Sequence, residues 1–408
     1  MRHQPSAIPS AWPIAGGHVS VALVVGTLAH VGVARHVTAL ARALGAGRHR
    51  VRVYVLAGPV EPAAGRLRAL GIPITALPRR RSYEPGRVLV LARALKRDGI
   101  DLVHAILPAG AAYGTLAARL AGIPIVIVST RAGDPREERR VRTLLHRIYR
   151  RATVVLANTR AQARQLASDA NLPLGHLQVV YDGVDLSRHA APGMLDGLRD
   201  RVWHRPLVIG GAGPVDTGQA LFFATAARIA ARHPDAHFVW LEDRDDQSGA
   251  GEGDGRLAGV PAGLPVTVVS VAGDPEPVLS QLAMLCLTGG PECPSLGLVS
   301  AAMAAARPVV AADVPGIDEL IVDGATGAVV PPGDPAALAE AAMALLEDRS
   351  RLRAAGYAAR AYAERAFGAE GMARATAALY EASLLGQPAP GAPFAAGTVS
   401  LLPADGRR

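Results

Sequence analysis

Short aliphatic runs recur along the chain, each followed by a turn and then by a stretch with helical spacing. Val19-Ser-Val-Ala-Leu-Val-Val25 reads as a buried parallel strand, because apolar residues occupy both of its faces. Gly26 ends it, and Val37, Leu40, Ala41 and Leu44 then fall on one helix face between residues 35 and 44. Further strands are predicted at residues 51–56, 101–104, 123–128, 154–157 and 177–180, with helices at 87–97 and 111–120. Residues 187–206 break the pattern, with Pro192, Gly193, Gly197 and Pro206 among scattered arginines. The alternation then resumes, with strands at 207–209, 237–241, 266–271, 308–311 and 328–330. Helices are predicted at 219–231, 279–285, 298–306, 336–346 and 351–367, and helical spacing continues through Met372, Ala375, Leu379 and Tyr380. Strands alternating with helices imply parallel sheets covered on both faces. The reading is two open α/β units in tandem, with the cleft between their carboxyl strand edges as the default ligand site.

Composition narrows this picture. A chain of 408 residues and 42.1 kDa fits two domains. Half of its residues are hydrophobic and only 4% are aromatic, so aliphatic side chains and alanine must build the cores. Basic residues outnumber acidic ones by 43 to 35, and Lys96 is the one lysine, which nearly excludes Schiff-base chemistry and phosphate-binding lysines. Cys286 and Cys293 lack metal-ligand spacing and do not form a disulfide framework, which fits a reducing cytoplasm. No apolar run reaches 18 residues, so no membrane-spanning helix is predicted. Residues 19–29 could imitate a signal-peptide core, but they lack a clear cleavage site and read better as the first strand.

Three glycine-bearing loops follow predicted strands: Gly26 to Gly32, Gly210-Gly-Ala-Gly213, and Pro315-Gly316. Glycine lets a backbone approach a ligand, and a following helix N-terminus offers amides to an anion. None of the three is a P-loop, since Gly-Lys-Ser/Thr is absent, and each also reads as a plain strand-to-helix turn. Residues 136–151 form a basic amphipathic segment, with Val141, Leu144, Leu145 and Ile148 on one face and arginines on the rest. Such a helix can lie on an anionic bilayer or pack its apolar face on the sheet. Nucleic acid is not an expected partner, because no aromatic platform interleaves the basic residues.

Several phrases carry a family resemblance: Asp101-Leu-Val-His104, Val155-Leu-Ala-Asn158, Val180-Tyr-Asp-Gly-Val-Asp185, residues 303–313, Gly316-Ile-Asp-Glu-Leu320 and residues 324–334. Over about residues 18 to 385 the chain resembles the retaining GT-B transferases of glycosyltransferase family 4. The resemblance implies an α/β GT-B fold, two Rossmann-like parallel-sheet domains facing a central cleft. It makes residues 18–186 the acceptor-side domain, while composition marks 1–17 as a disordered leader and 187–206 as a linker. Residues 207–370 would form the nucleotide-sugar domain and 371–385 a helix crossing back to the first domain, and the Pro/Ala/Gly composition marks 386–408 as a disordered tail. The implied activity is sugar transfer from a nucleotide-sugar to a glycan or lipid-linked acceptor with retention, using no metal and no cofactor beyond the donor substrate. A cytoplasmic protein, peripheral at the inner membrane face and with a glycosyltransferase as a further candidate partner, is the implied setting.

The resemblance also assigns residues. Catalytic positions fall on Glu292 and His104, and donor-binding positions on Gly211, Gly213, Ser300, Gly316, Glu319 and Arg131. The acceptor-side loop contributes Gly32 and Arg35. The chain departs from the family where the diphosphate is gripped: the usual Arg and Lys become Ala212 and Thr217. The paired glutamates reduce to Glu292 and Ser300, and Gly-Gly-Ala-Glu becomes Gly32-Val-Ala-Arg35. In the transferase reading, the Gly210–Gly213 backbone and the next helix N-terminus replace the lost cations, with Arg131 or Arg307 adding charge. The alternatives are a non-catalytic GT-B protein that binds a partner or a sugar-nucleotide, and an epimerase on the same fold. His104 and Arg131 read equally as a structural histidine and a solvated loop arginine, Glu292 as a solvated loop residue, Arg35 as the start of a solvent-facing helix, and Asp182-Gly183 as a turn.

Overall fold

The computed structural model describes residues 18–387 apart from 29–30, 48, 59, 62, 78–83, 85, 131–138, 187–206, 215–216, 243–259, 272–274 and 290–295. The leader, the linker, residues 388–408 of the tail, and residues 136–138 of the basic segment therefore lie outside the described residues.

Two parallel sheets organise the chain. The first holds β1 (Val19–Val25), β2 (His49–Val55), β3 (Ile74–Ala76), β4 (Leu102–Ile106), β5 (Ile125–Ser129), β6 (Val154–Ala157) and β7 (Leu177–Val179), in the order 3-2-1-4-5-6-7. The second holds β8 (Leu207–Ala212), β9 (Ala236–Glu242), β10 (Val266–Ser270), β11 (Met284–Leu287), β12 (Val309–Ala312) and β13 (Gly327–Val330), in the order 10-9-8-11-12-13. Each order reverses beside the sheet's first strand, between β1 and β4 and between β8 and β11, and a crevice opens there at the carboxyl ends. Both sheets are covered on both faces by aliphatic clusters, as runs such as Val21-Ala-Leu-Val-Val25 require.

Three expectations are corrected. Residues 279–285 do not form a helix: a short helix ends at Leu279 and Met284–Leu287 is the central strand β11. A brief apolar run suits a buried strand and a buried helix alike, and the sheet decides. Gly210, Gly211 and Ala212 belong to β8 rather than to a loop. They are small because a Cβ on Gly210 would meet Leu282 at 2.4 Å and one on Gly211 would meet the Phe222 ring at 2.5 Å. Helix α1 (Val31–Gly45) starts four residues before Arg35, so Gly32 and Arg35 are helical.

The last helix of the chain, α12 (Ala369–Leu384), packs on the first sheet. Its Met372, Leu379, Tyr380 and Leu384 join Val21, Leu23, Val37 and Leu40 in one cluster, each worth about 1.5–3 kcal/mol of burial. A polar joint fixes the register of this packing: His104 Nδ1 lies 2.6 Å from Tyr380 Oη, and His104 Nε2 lies 2.6 Å from Ser129 Oγ. Burial holds the His104 imidazole down to a pKa of about 3, so it is neutral at physiological pH.

Helix α9 (Leu296–Ala304) ends in a Schellman arrangement, with Arg307 N donating to Ala302 O and Ala306 N to Met303 O, both at 2.9 Å. Its left-handed position is filled by Ala306 at φ +58° instead of glycine. The αL penalty for a Cβ exceeds the added chain entropy of glycine. Ala306→Gly should therefore raise the unfolding free energy by about 0.5–1 kcal/mol in urea melts; a less stable variant would contradict this.

A second prediction concerns acid. Unfolded His104 takes up a proton below its ordinary pKa of 6.5, whereas the folded group does so only near 3. Its contribution to stability is thus complete above 6.5 and is lost as pH falls toward 3, with a slope of up to about 1.4 kcal/mol per pH unit. Urea unfolding of wild type and His104→Gln at pH 7.5, 6 and 4.5 should show a flatter profile for the variant. Parallel profiles would remove His104 as the cause.

Candidate active-site cleft

The carboxyl ends of β4 to β7 border an open recess. Ile106, Ser129, Thr130, Asn158 and Asp182 line it, with His36 from α1 and Thr376 from α12. A second recess continues from it, with Asn158, Thr159, Tyr181 and Asp182 on the first half and Gly297, Ser300, Leu320 and Phe367 on the second. Asn158 and Asp182 line both, so the two recesses form one cleft between the sheets. Asp182 is its polar hub: Oδ1 lies 3.1 Å from His36 Nδ1, and Oδ2 accepts from Asn158 Nδ2 at 3.3 Å. From the sequence Asp182 reads only as a turn former; its partners come from 24 residues upstream and beyond, which no local signal reveals.

On the second half, the crevice between β8 and β11 is closed by Thr288. Its amide donates to Ala212 O at 2.8 Å, and its hydroxyl is shared between Ala212 O at 3.2 Å and Gly218 O at 2.7 Å. Gly213 faces the same residue: a Cβ there would fall 1.8 Å from Thr288 O. Gly211 and Gly213 thus answer a packing demand, whatever ligand the crevice takes. Helix α7 (Thr217–Arg232) starts at this loop, and the amides of Gly218 and Gln219 both donate to Pro214 O. Ala212 is fully buried and Thr217 is exposed at the helix start, so neither position places a cation at the crevice. Ser300 lines the interdomain recess and donates to Gly297 O at 3.1 Å.

Other assigned residues are engaged across the two halves. Gly316 and Glu319 meet the N-terminus of α6 (Arg160–Ala170) in the first half, where Glu319 accepts from the amides of Arg160 and Ala161. Arg35 reaches the second half, with Nη2 3.4 Å from Oε1 of the buried Glu276. Its reading as a purely solvent-facing residue is thereby overturned, since only 17% of its side chain is exposed. His104 lines the first recess with both ring nitrogens committed to Tyr380 and Ser129. Gly32 is half-buried in the first turn of α1. Arg307 precedes β12 and donates to Ser280 O, which puts it at the amino end of the strands, away from the cleft. Glu292 and Arg131 lie outside the described residues. Among the described residues, no group of three His, Cys, Asp or Glu side chains is placed to hold a metal ion.

Residues 31–188 match the Glycosyltransferase Family 4 model, and residues 204–348 match that of Glycosyl transferases group 1. The chain is 28% identical over 339 residues to a phosphatidyl-myo-inositol mannosyltransferase of Mycolicibacterium smegmatis, covering 81% of this chain and 84% of that protein. It is 32% identical over 226 residues to a D-inositol 3-phosphate glycosyltransferase of Nocardia farcinica, covering 53% of this chain and 50% of that one. Anabaena Alr3699/HepE, solved in complex with UDP-glucose, superimposes with a TM-score of 0.74 at 18% identity, over 90% of this chain and 100% of that one. The two sheets, their facing crevices and both halves' matches converge: the chain is a glycosyltransferase of the family 4 type, built on the GT-B fold.

Proposed function

We propose that the protein moves a sugar from a nucleotide-sugar to a lipid-linked acceptor, with retention at the anomeric carbon and as a step of glycoconjugate assembly. The observation that carries this reading is the continuous cleft, in which Asn158 and Asp182 of the first half face Gly297 and Ser300 of the second. The donor's nucleotide lies on the second half, at the crevice between β8 and β11, and the acceptor hydroxyl enters through the recess around Asp182. The departing diphosphate needs its growing negative charge stabilised. With Ala212 and Thr217 in place of cations, that task falls to the positive end of the 16-residue helix α7. The mannosyl and inositol-lipid chemistry in the name of the Mycolicibacterium relative supports a hexose donor and a lipid acceptor.

The outer surface of the first half supports a membrane setting. Helices α3 (Gly86–Arg97), α4 (Leu107–Ala121) and α5 (Arg139–Tyr149) pack side by side. Their sequences hold nine arginines and lysines and no acidic residue. They also carry six of the ten exposed large apolar side chains among the described residues: Leu89, Val90, Leu116, Leu120, Val141 and Leu144. Leu145, Ile148 and Tyr149 of α5 are buried, so this helix packs on the sheet and still presents an apolar and basic outer face. Such a face suits the surface of an anionic bilayer. Among the described residues no helix is long and apolar enough to cross a membrane.

Two measurements check this reading. Titration of purified protein with UDP, GDP, ADP and their common sugar conjugates should find one nucleotide family bound in the micromolar range; no binding up to millimolar concentration would end the transferase proposal. Sedimentation with phosphatidylcholine vesicles containing about a third phosphatidylglycerol should carry the protein down, and added salt should weaken this. The double variant Leu120→Asp, Leu144→Asp should stay in the supernatant, and equal sedimentation of variant and wild type would dismiss the outer face as the docking surface.

A further inference from the structure

The first amides of a helix have no acceptor within it. At α6 the N-cap Thr159 satisfies one of them, its Oγ1 accepting from Gln162 N at 3.1 Å. The amides of Arg160 and Ala161 remain, and both donate to a single carboxylate, that of Glu319, to Oε2 and Oε1 at 2.8 Å each. Glu319 lies 159 residues beyond Arg160, in the second half, on the 3₁₀ turn Ile317–Glu319. Its Oε2 also accepts from Tyr181 Oη at 2.8 Å, and its carbonyl oxygen accepts from Tyr362 Oη at 3.0 Å. Burial and then the charge of Glu319 push the Tyr181 phenol upward, which keeps it protonated and able to donate.

The backbone is shaped for the same contact. Gly316 opens the turn at φ +89°, and a Cβ there would lie 3.1 Å from both Cγ2 and Oγ1 of Thr159, so the N-cap of one half sits against a glycine of the other. The contact lies beside the place where the chain returns to the first half. Phe367 packs edge-on against both Tyr181 and Tyr362, Val184 N donates to Phe367 O at 2.7 Å, and Ala369 N donates to Val184 O at 3.0 Å.

We infer that Glu319 is a positioning residue that acts through α6: its carboxylate seats the second half on the first and so keeps Asn158 and Asp182 opposite Gly297 and Ser300. Both carboxylate oxygens already accept from three donors of the first half, so a nucleotide would have to displace them to use this group. The contact stands independently of the proposed reaction, and only the nucleotide arm of its test rests on the transferase reading.

The test uses the full chain with Glu319→Gln, which keeps the volume but turns an amide nitrogen toward one of the two backbone N–H groups. Amide hydrogen exchange at Arg160 and Ala161 should accelerate at least tenfold, and the radius of gyration from X-ray scattering should grow. The Kd for whichever of UDP or GDP the wild type binds should stay within twofold. Tyr181→Phe removes one donor without leaving a buried charge unpaired, and should shift exchange the same way by less; it serves if Glu319→Gln does not fold. Unchanged exchange would overturn the inference, and so would a tenfold weaker Kd, which would make Glu319 a direct nucleotide contact. Should the wild type bind neither nucleotide, the transferase proposal falls, while exchange and scattering still decide the role of Glu319.

Discussion

A helix N-terminus without acceptors and a half-buried carboxylate without donors are each unfavourable, and in this protein they lie on opposite halves of the chain. Glu319 and the first turn of α6 resolve both costs at once, with two charge-assisted hydrogen bonds along the helix dipole. Two separately folded sheets do not otherwise know where to sit relative to one another. Each has its own paired hydrophobic layers, and apart from the cluster edge where Val184, Tyr181 and Leu186 pack with Phe367, these layers say little about the angle between the halves. The geometry of the cleft therefore depends on a few directional contacts: the Glu319 cap, the Arg35–Glu276 ion pair, and the bonds that join Val184 to Phe367 and Ala369. Helix α12 completes the arrangement, because Tyr380 can reach His104 only when the returning chain lies along the first sheet.

Space, more than charge, shapes the crevice of the second half. With Gly213 against Thr288 O and Gly211 against Phe222, strand β8, helix α7 and the exit of β11 approach as closely as backbone allows. Thr288 then stitches the three together with its amide and hydroxyl. A glycine-rich phrase after a strand is usually read as a ligand cradle, yet the packing demand alone would impose these glycines. Ser300 lining the recess and Ala212 buried beneath the loop show the same economy: small groups where larger ones would fill the cleft.

The fold was legible wherever the decisive interaction was local. β6 matches its aliphatic run Val154-Val-Leu-Ala157 at both ends, and the helical spacing through Met372, Leu379 and Tyr380 marks the buried face of α12. Met284–Leu287 was not legible as a strand, because the run Leu-Ala-Met-Leu-Cys-Leu has no period of its own and becomes β11 only between β8 and β12. The candidate site divides in the same way. Of the residues assigned to the site, His104 lines the cleft and Gly316 and Glu319 lie at the contact beside it, whereas Asn158 stood in the sequence only within a family phrase. Their partners were hidden, since Tyr380 lies 276 residues from His104 and Ala161 lies 158 residues from Glu319. A sequence shows that such a residue is polar at a strand end; only the fold shows whom it meets.

Charge is distributed with a consistent asymmetry. Almost every cation of the chain is an arginine, a residue that stays protonated and forms planar, paired contacts. At the described part of the crevice between β8 and β11, the positions where the family resemblance implies cations hold Ala212 and Thr217. Arg35, which bridges the two halves, is opposed by Glu276, whereas the helical sequences of α3, α4 and α5 hold nine cations and no acid. On the proposed reading, long-range attraction locates the protein on an anionic surface, while hydrogen bonds and helix dipoles at short range hold the donor. Those two tasks place opposite demands on a charge, one requiring exposure to solvent and the other exclusion from it. Separating them between the outer face and the cleft lets each be met without weakening the other.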